Sequence, residues 1–195
     1  MKGYATVNPT HVTIKVKNKE ELAKLREMII YEETQEINFD KLSVEVPFFV
    51  QGEAFICEEP DKNYISFDTS WSVFDNVFSE LARQLGFSVY CEVCDENFTE
   101  KTYDCVLTPE EDGTVNIEYG IKSNFEIFKT TIRMCPYVLP YAKYDAESDS
   151  VVIYDERIEE VNSKKDQQRK DYFEKLPELS TEETASELYK RFLGR

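Results

Sequence analysis

The stretch SVFDNVFSELARQLGFSVYCEV, residues 72–93, contains a helix pattern that runs directly into a strand pattern. Ser72 and Asp75 have the spacing of a capping box, and Gly86 stands where a left-handed C-cap is expected. Between them, apolar residues recur at helical spacing: Phe74, Val77, Phe78, Leu81 and Leu85. The residues that follow alternate between apolar and polar. The stretch therefore predicts a core-facing helix over residues 72–85 and a strand over residues 87–93.

Strand and helix patterns continue on the N-terminal side of this stretch. They predict strands over residues 10–16, 41–50 and 64–68, and a helix over residues 19–31. The order up to residue 95 is then β-α-β-β-α-β, which is typical of a ferredoxin-like α+β fold. We expect an antiparallel sheet with both helices on one of its faces.

The C-terminal side predicts an extension of this sheet. Strands over residues 102–107 and 114–119, joined by an Asp-Gly turn at 112–113, would form a β-meander. Residues 132–144 indicate an irregular, aromatic excursion, and residues 151–154 a last strand.

Two domains follow from this pattern. Residues 1–154 would form the ferredoxin-like domain with its meander, and residues 155–195 a helical C-terminal appendage. The appendage combines a long polar helix over 155–175 with a short helix that opens at a capping box, residues 180–183. It could pack back on the domain, bind a partner or form a homodimer, and the sequence leaves these alternatives open.

The charge of the chain is strongly negative and unevenly distributed. The formal net charge is −16, from 39 acidic and 23 basic side chains. Residues 53–126 hold 17 acidic and 4 basic side chains, a net charge of −13. Such a field repels nucleic acids and anionic membranes and attracts basic protein surfaces. The alternative is that the acidity serves only to keep the protein in solution.

Other features bound the compartment and the chemistry. The chain has 195 residues and no apolar run of the length that a membrane span needs, and its first residues lack the apolar core of a secretory signal. Five cysteines, an odd number, make a disulfide framework improbable. We expect a cytoplasmic protein.

The C-x-x-C at Cys91 and Cys94 is interpreted as a pair of packing cysteines. Alternation along a strand would point the two thiols to opposite faces, and a redox motif of this kind needs a helix N-terminus after it. A zinc site needs four ligands, and His11 is the only histidine of the chain. We therefore expect no metal, no cofactor and no catalytic residue.

Two segments resemble a known family. The run FDTSWS at residues 67–72 precedes the predicted helix, and YCEVCDENF at residues 90–98 follows it. Together with the opening NPTHVT at residues 8–13, they are similar to the YubB-type ferredoxin-like domain of plasmids and phages. The resemblance covers about residues 5–107. It implies the fold and a mobile-element setting, and no catalytic residues. In our reading of the residues themselves, Trp71 anchors the helix on the sheet.

The acidic segment supplies the candidate binding residues. Nine carboxylates on or between the last predicted strands could imitate a row of phosphates: Glu92, Asp95, Glu96, Glu100, Asp104, Glu110, Glu111, Asp112 and Glu118. Four aromatic residues lie among them as possible anchors: Tyr90, Phe98, Tyr103 and Tyr119.

These residues favour a non-enzymatic binding protein of a phage or mobile element. It would present a DNA-mimicking acidic face to a host protein with a basic nucleic-acid-binding surface, such as a CRISPR or restriction-type defence protein, and inhibit it. It would bind neither nucleic acid nor membrane itself. The alternatives are a carboxylate-based, metal-assisted enzyme and a scaffold protein that acts through its C-terminal helices.

Overall fold

The structure is a computed structural model, and it describes residues 10–31, 33–46, 50–60, 62–69, 75–95, 102–120, 123–134, 142–153 and 187–194. Eight strands and four helices lie in these ranges. They are, in chain order, β1 (Thr10–Val16), α1 (Lys19–Ile29), β2 (Val50–Glu59), β3 (Lys62–Thr69), α2 (Asp75–Leu85), β4 (Val89–Asp95), β5 (Tyr103–Pro109), β6 (Val115–Tyr119), α3 (Asn124–Met134), β7 (Ala142–Asp145), β8 (Ser150–Ile153) and α4 (Glu187–Phe192).

Six strands form one antiparallel sheet in the order β2-β3-β1-β4-β5-β6. The first strand of the chain therefore lies inside the sheet, where Ile14 faces Ile65 on one side and Cys91 on the other. β7 and β8 form a separate antiparallel hairpin. The predicted α+β class with an antiparallel sheet is confirmed.

One face of the sheet carries the apolar core. Val12 and Ile14 of β1 lie in one buried cluster with Leu25 of α1 and with Phe78 and Leu81 of α2. Both helices therefore pack on the same face of the sheet. Apolar residues recur at helical spacing in the helices and at every second position in the strands, so each element has one apolar side.

The opposite face is covered in part by the later elements. α3 packs against β4 and β8, and α4 packs against β5. Leu188 and Phe192 of α4 are buried against Tyr90 of β4. The C-terminal helix thus packs back on the sheet, which was one of the alternatives left open. None of the helices in the described ranges combines the length and the apolar content needed to cross a membrane.

Two expectations are corrected. The strand predicted over residues 41–50 lies at Val50–Glu59 instead, and residues 40–44 form turns and bends. Leu42 is buried in the core and Val44 and Val46 pack against it, so their alternation reflects a packed loop. Residues 132–134, which were expected to begin the irregular excursion over 132–144, form the C-terminal end of α3. The start of the predicted helix at 72–74, Trp71 and the predicted helix over 155–175 lie outside the described residues.

Replacing Leu81 by alanine tests the role of α2 in the core. Leu81 is fully buried between the helix and the sheet. The change should lower the free energy of unfolding by about 3 kcal/mol, because it removes buried methyl groups and leaves a cavity. Denaturant unfolding measures this free energy. The control is Asn76→Ala, on the exposed side of the same helix. A similar loss in both variants would contradict the assignment.

Candidate functional site

The face of the sheet opposite the core is rich in polar side chains, and we call it the polar face. Its members alternate with the core residues along the four inner strands: His11, Thr13 and Lys15 of β1, Ser66 and Asp68 of β3, Tyr90, Glu92 and Cys94 of β4, and Asp104 of β5. Strand pleating brings them together, since side chains at every second position share a face.

Glu92 is the centre of a buried ion pair network on this face. It is only 5% exposed, and its carboxylate lies 3.3 Å from Lys15 Nζ and in contact with the guanidinium of Arg133 on α3. A carboxylate removed from water needs such cationic partners. The Glu92 charge in turn raises the pKa of Arg133 above its usual value.

Asp104 lies directly across from Glu92 on the neighbouring strand and is fully buried. The Tyr90 hydroxyl donates a hydrogen bond of 2.7 Å to its Oδ2. The carboxylate also lies against Gly120, where a Cβ atom would come within 2.1 Å of Oδ1. Only glycine fits beside this side chain in its present position.

α4 closes this half of the polar face with aromatic rings. Tyr189 lies 4.7 Å from the Tyr90 ring, between centroids, and Phe192 lies 6.1 Å from it. Lys15 Nζ lies 4.4 Å from the centroid of Tyr189, and Lys17 Nζ lies 5.2 Å from that of Phe192. Cation–π contacts therefore hold the C-terminal helix on the sheet.

The half of the polar face over β3 and β2 is more open. His11 Nδ1 lies 2.5 Å from Asp68 Oδ1, and the Asp68 side chain is 43% exposed. The hydroxyls of Thr13 and Ser66 are 3.1 Å apart. Phe55 of β2 lies across from Ser66 and is 61% exposed.

The structure divides the nine predicted acidic residues into three groups. Glu92, Asp95 and Asp104 are buried. Internal contacts engage the carboxylates of Glu92 and Asp104, and the backbone N–H of Asp95 donates to Thr102 Oγ1. They cannot present their charge to a partner as predicted, and this part of the expected acidic face is corrected. Four are exposed: Glu110, Glu111, Asp112 and Glu118. Glu96 and Glu100 lie outside the described residues.

The predicted aromatic anchors differ in how far they are exposed. Tyr90 is buried beneath α4, so it serves the fold. Tyr103 and Tyr119 pack edge to face with centroids 5.8 Å apart, and Tyr119 is 48% exposed. Phe98 lies outside the described residues.

The two cysteines of the C-x-x-C lie on opposite faces of β4, as the alternation predicted. Cys91 belongs to the core cluster, and burial raises the pKa of its thiol well above the usual value. Cys94 lies on the polar face across from His11. Within the described ranges, no group of three or more His, Cys, Asp or Glu side chains is placed to hold a metal ion.

Sequence reasoning missed Arg133, which pairs with Glu92. The signal for its helix is local: Glu126 N donates to Ser123 Oγ (3.3 Å) and Ser123 N to Glu126 Oε2 (2.9 Å), a reciprocal capping box. That spacing is visible in the sequence, whereas the packing of α3 on β4 is not.

Comparison with known proteins gives no relative: no protein-family model matches the chain, and no similar protein is found among curated proteins or solved structures. The functional argument therefore depends on the residues described above.

Replacing Glu92 by glutamine tests the buried network. The change leaves Lys15 and Arg133 without their shared anion, so the free energy of unfolding should fall by about 3 kcal/mol. The matched control is Glu118→Gln, which breaks the exposed pair with Arg191 at 2.6 Å and should cost less than about 1 kcal/mol. Denaturant unfolding measures the loss of unfolding free energy in the two variants. Equal losses would mean that Glu92 is not a buried structural charge.

Proposed function

We propose that the chain is a non-enzymatic binding protein of a phage or another mobile element, and that it inhibits a host nucleic-acid-binding or defence protein. The β5–β6 hairpin would supply the acidic surface that meets the basic surface of that partner. One observation carries the proposal: Glu110, Glu111 and Asp112 are consecutive and exposed at the hairpin turn, and residues 102–120 contain no lysine or arginine.

The hairpin turn is ordered, which favours binding. Gly113 N donates to Glu110 O at 3.0 Å, and Gly113 adopts a φ of +85° that suits glycine. Thr114 donates to Asp112 Oδ1 from its N–H at 2.9 Å and from its hydroxyl at 2.6 Å. These bonds lower the pKa of Asp112, so its charge persists below neutral pH. A preformed turn loses little conformational entropy on binding.

The core that carries this hairpin fits the proposed setting. The first four strands lie in the order β2-β3-β1-β4, all antiparallel, with α1 and α2 on one face. This arrangement supports a ferredoxin-like core, in agreement with the resemblance to the YubB-type domain of plasmids and phages.

Fewer carboxylates are then exposed to imitate the phosphates of nucleic acid than the sequence predicts. Three carboxylates of the expected ladder are buried, so the ladder carboxylates that stay exposed are the three at the hairpin turn and Glu118, which pairs with Arg191. Such a group would occupy a basic site of a partner protein in place of phosphates. Exposed charges attract across water, and salt screens this attraction, so binding should weaken as ionic strength rises.

Neutralising the hairpin tests the proposal. The variant E110Q/E111Q/D112N should retain a host protein from a bacterial lysate about tenfold less tightly at low salt, because three exposed charge pairs are lost. Affinity capture followed by mass spectrometry identifies the protein, and its binding is then measured at two salt concentrations and in competition with duplex DNA.

The matched control is E20Q/E27Q/E33Q, which removes the same charge from exposed positions on and just after α1. This control should bind nearly as the unaltered chain does. Any of three results would contradict the proposal: retention that does not change with salt concentration, equal losses of binding in the two variants, or no competition with duplex DNA.

A further inference from the structure

The covered half of the polar face indicates which chemistry this face accepts. There, Lys15 lies over the rings of Tyr90 and Tyr189, with centroid distances of 5.1 and 4.4 Å, while its Nζ also lies 3.3 Å from the Glu92 carboxylate. A cation therefore contacts two aromatic rings and a carboxylate at once. Each contact favours the positive charge, by the ring quadrupole and by direct attraction.

The open half of the same face offers a similar set of groups to the outside. Phe55 and Tyr64 lie with ring centroids 6.0 Å apart, and Phe55 is 61% exposed. Asp68 lies two positions along β3 from Ser66, which pairs with Phe55, and the register of β2 shifts between Phe55 and Gln51, the partner of Asp68. The exposed carboxylate and the exposed ring therefore lie on neighbouring strands of the same open half. His11 contacts Asp68 Oδ1, and a carboxylate can accept further hydrogen bonds.

We propose that this open half binds an arginine side chain of a basic partner, with the guanidinium stacked on the Phe55 ring and hydrogen-bonded to the Asp68 carboxylate. The negative charge of the chain complements such a partner. The inference rests on the proposed function, which supplies the basic partner. Arginine fits better than lysine, because its planar guanidinium stacks on rings and donates in a fixed fork, whereas the ammonium of lysine is compact and strongly hydrated.

Tyr64 strengthens this site without adding charge. Burial, and then the neighbouring Cys57, raises the pKa of Tyr64 from its usual value of 10.0 to about 12, so the phenol, which is neutral at physiological pH at either value, adds no charge. The ring therefore supports Phe55 as part of an aromatic pair.

The test compares two probes, a nine-residue arginine peptide and a nine-residue lysine peptide, by isothermal titration calorimetry at low salt. Phe55→Leu keeps an apolar side chain and removes the ring. It should lower the ratio of arginine-peptide to lysine-peptide affinity about fivefold. The control is Phe125→Leu, because Phe125 is 45% exposed but its ring already contacts Tyr144 and Lys129. The control should leave the ratio unchanged.

An unchanged ratio in Phe55→Leu, or an equal fall in the Phe125 control, would overturn the inference. The hairpin variant E110Q/E111Q/D112N separates it from the proposed function. That variant should weaken both peptides and keep their ratio. If it changes neither affinity while Phe55→Leu lowers the ratio, the arginine site stands and the hairpin proposal fails.

Discussion

The burial of Glu92 links elements of this molecule that lie far apart in the chain. A carboxylate in the middle of a sheet is costly unless cations accompany it, and here they come from β1 and from α3 as Lys15 and Arg133. The same lysine contacts Tyr189, so the network also positions the C-terminal helix. Residues far apart in sequence are thereby held on one face of the sheet.

This constraint separates two kinds of negative charge. Glu92 and Asp104 face each other across β4 and β5, where Lys15 and Arg133 contact Glu92 and the Tyr90 hydroxyl donates to Asp104. The carboxylates of the hairpin turn are exposed instead, and Asp112 also accepts the hydrogen bonds from Thr114 that order the turn. The acidity of residues 92–118 therefore consists of a structural part and a surface part, and only the surface part can meet a partner.

Much of the fold follows from local pattern. The apolar spacing from Val77 to Leu85 and the alternation in β1 and β4 predict elements that the structure contains. The displaced β2 shows the limit, because Leu42, Val44 and Val46 alternate as a strand would while lying in a packed loop. The burial of Glu92 and Asp104 depends on tertiary contacts, and a strand that alternates between apolar and polar residues predicts a solvated polar face equally well.

The most direct test of this division is the labelling of carboxylates in the native protein with a carbodiimide and an amine, read by mass spectrometry. Glu110, Glu111 and Asp112 should be modified rapidly, while Glu92 and Asp104 should stay unmodified until the protein is unfolded. Rapid modification of Glu92 and Asp104 in the native state, at the rate of the hairpin, would contradict the account.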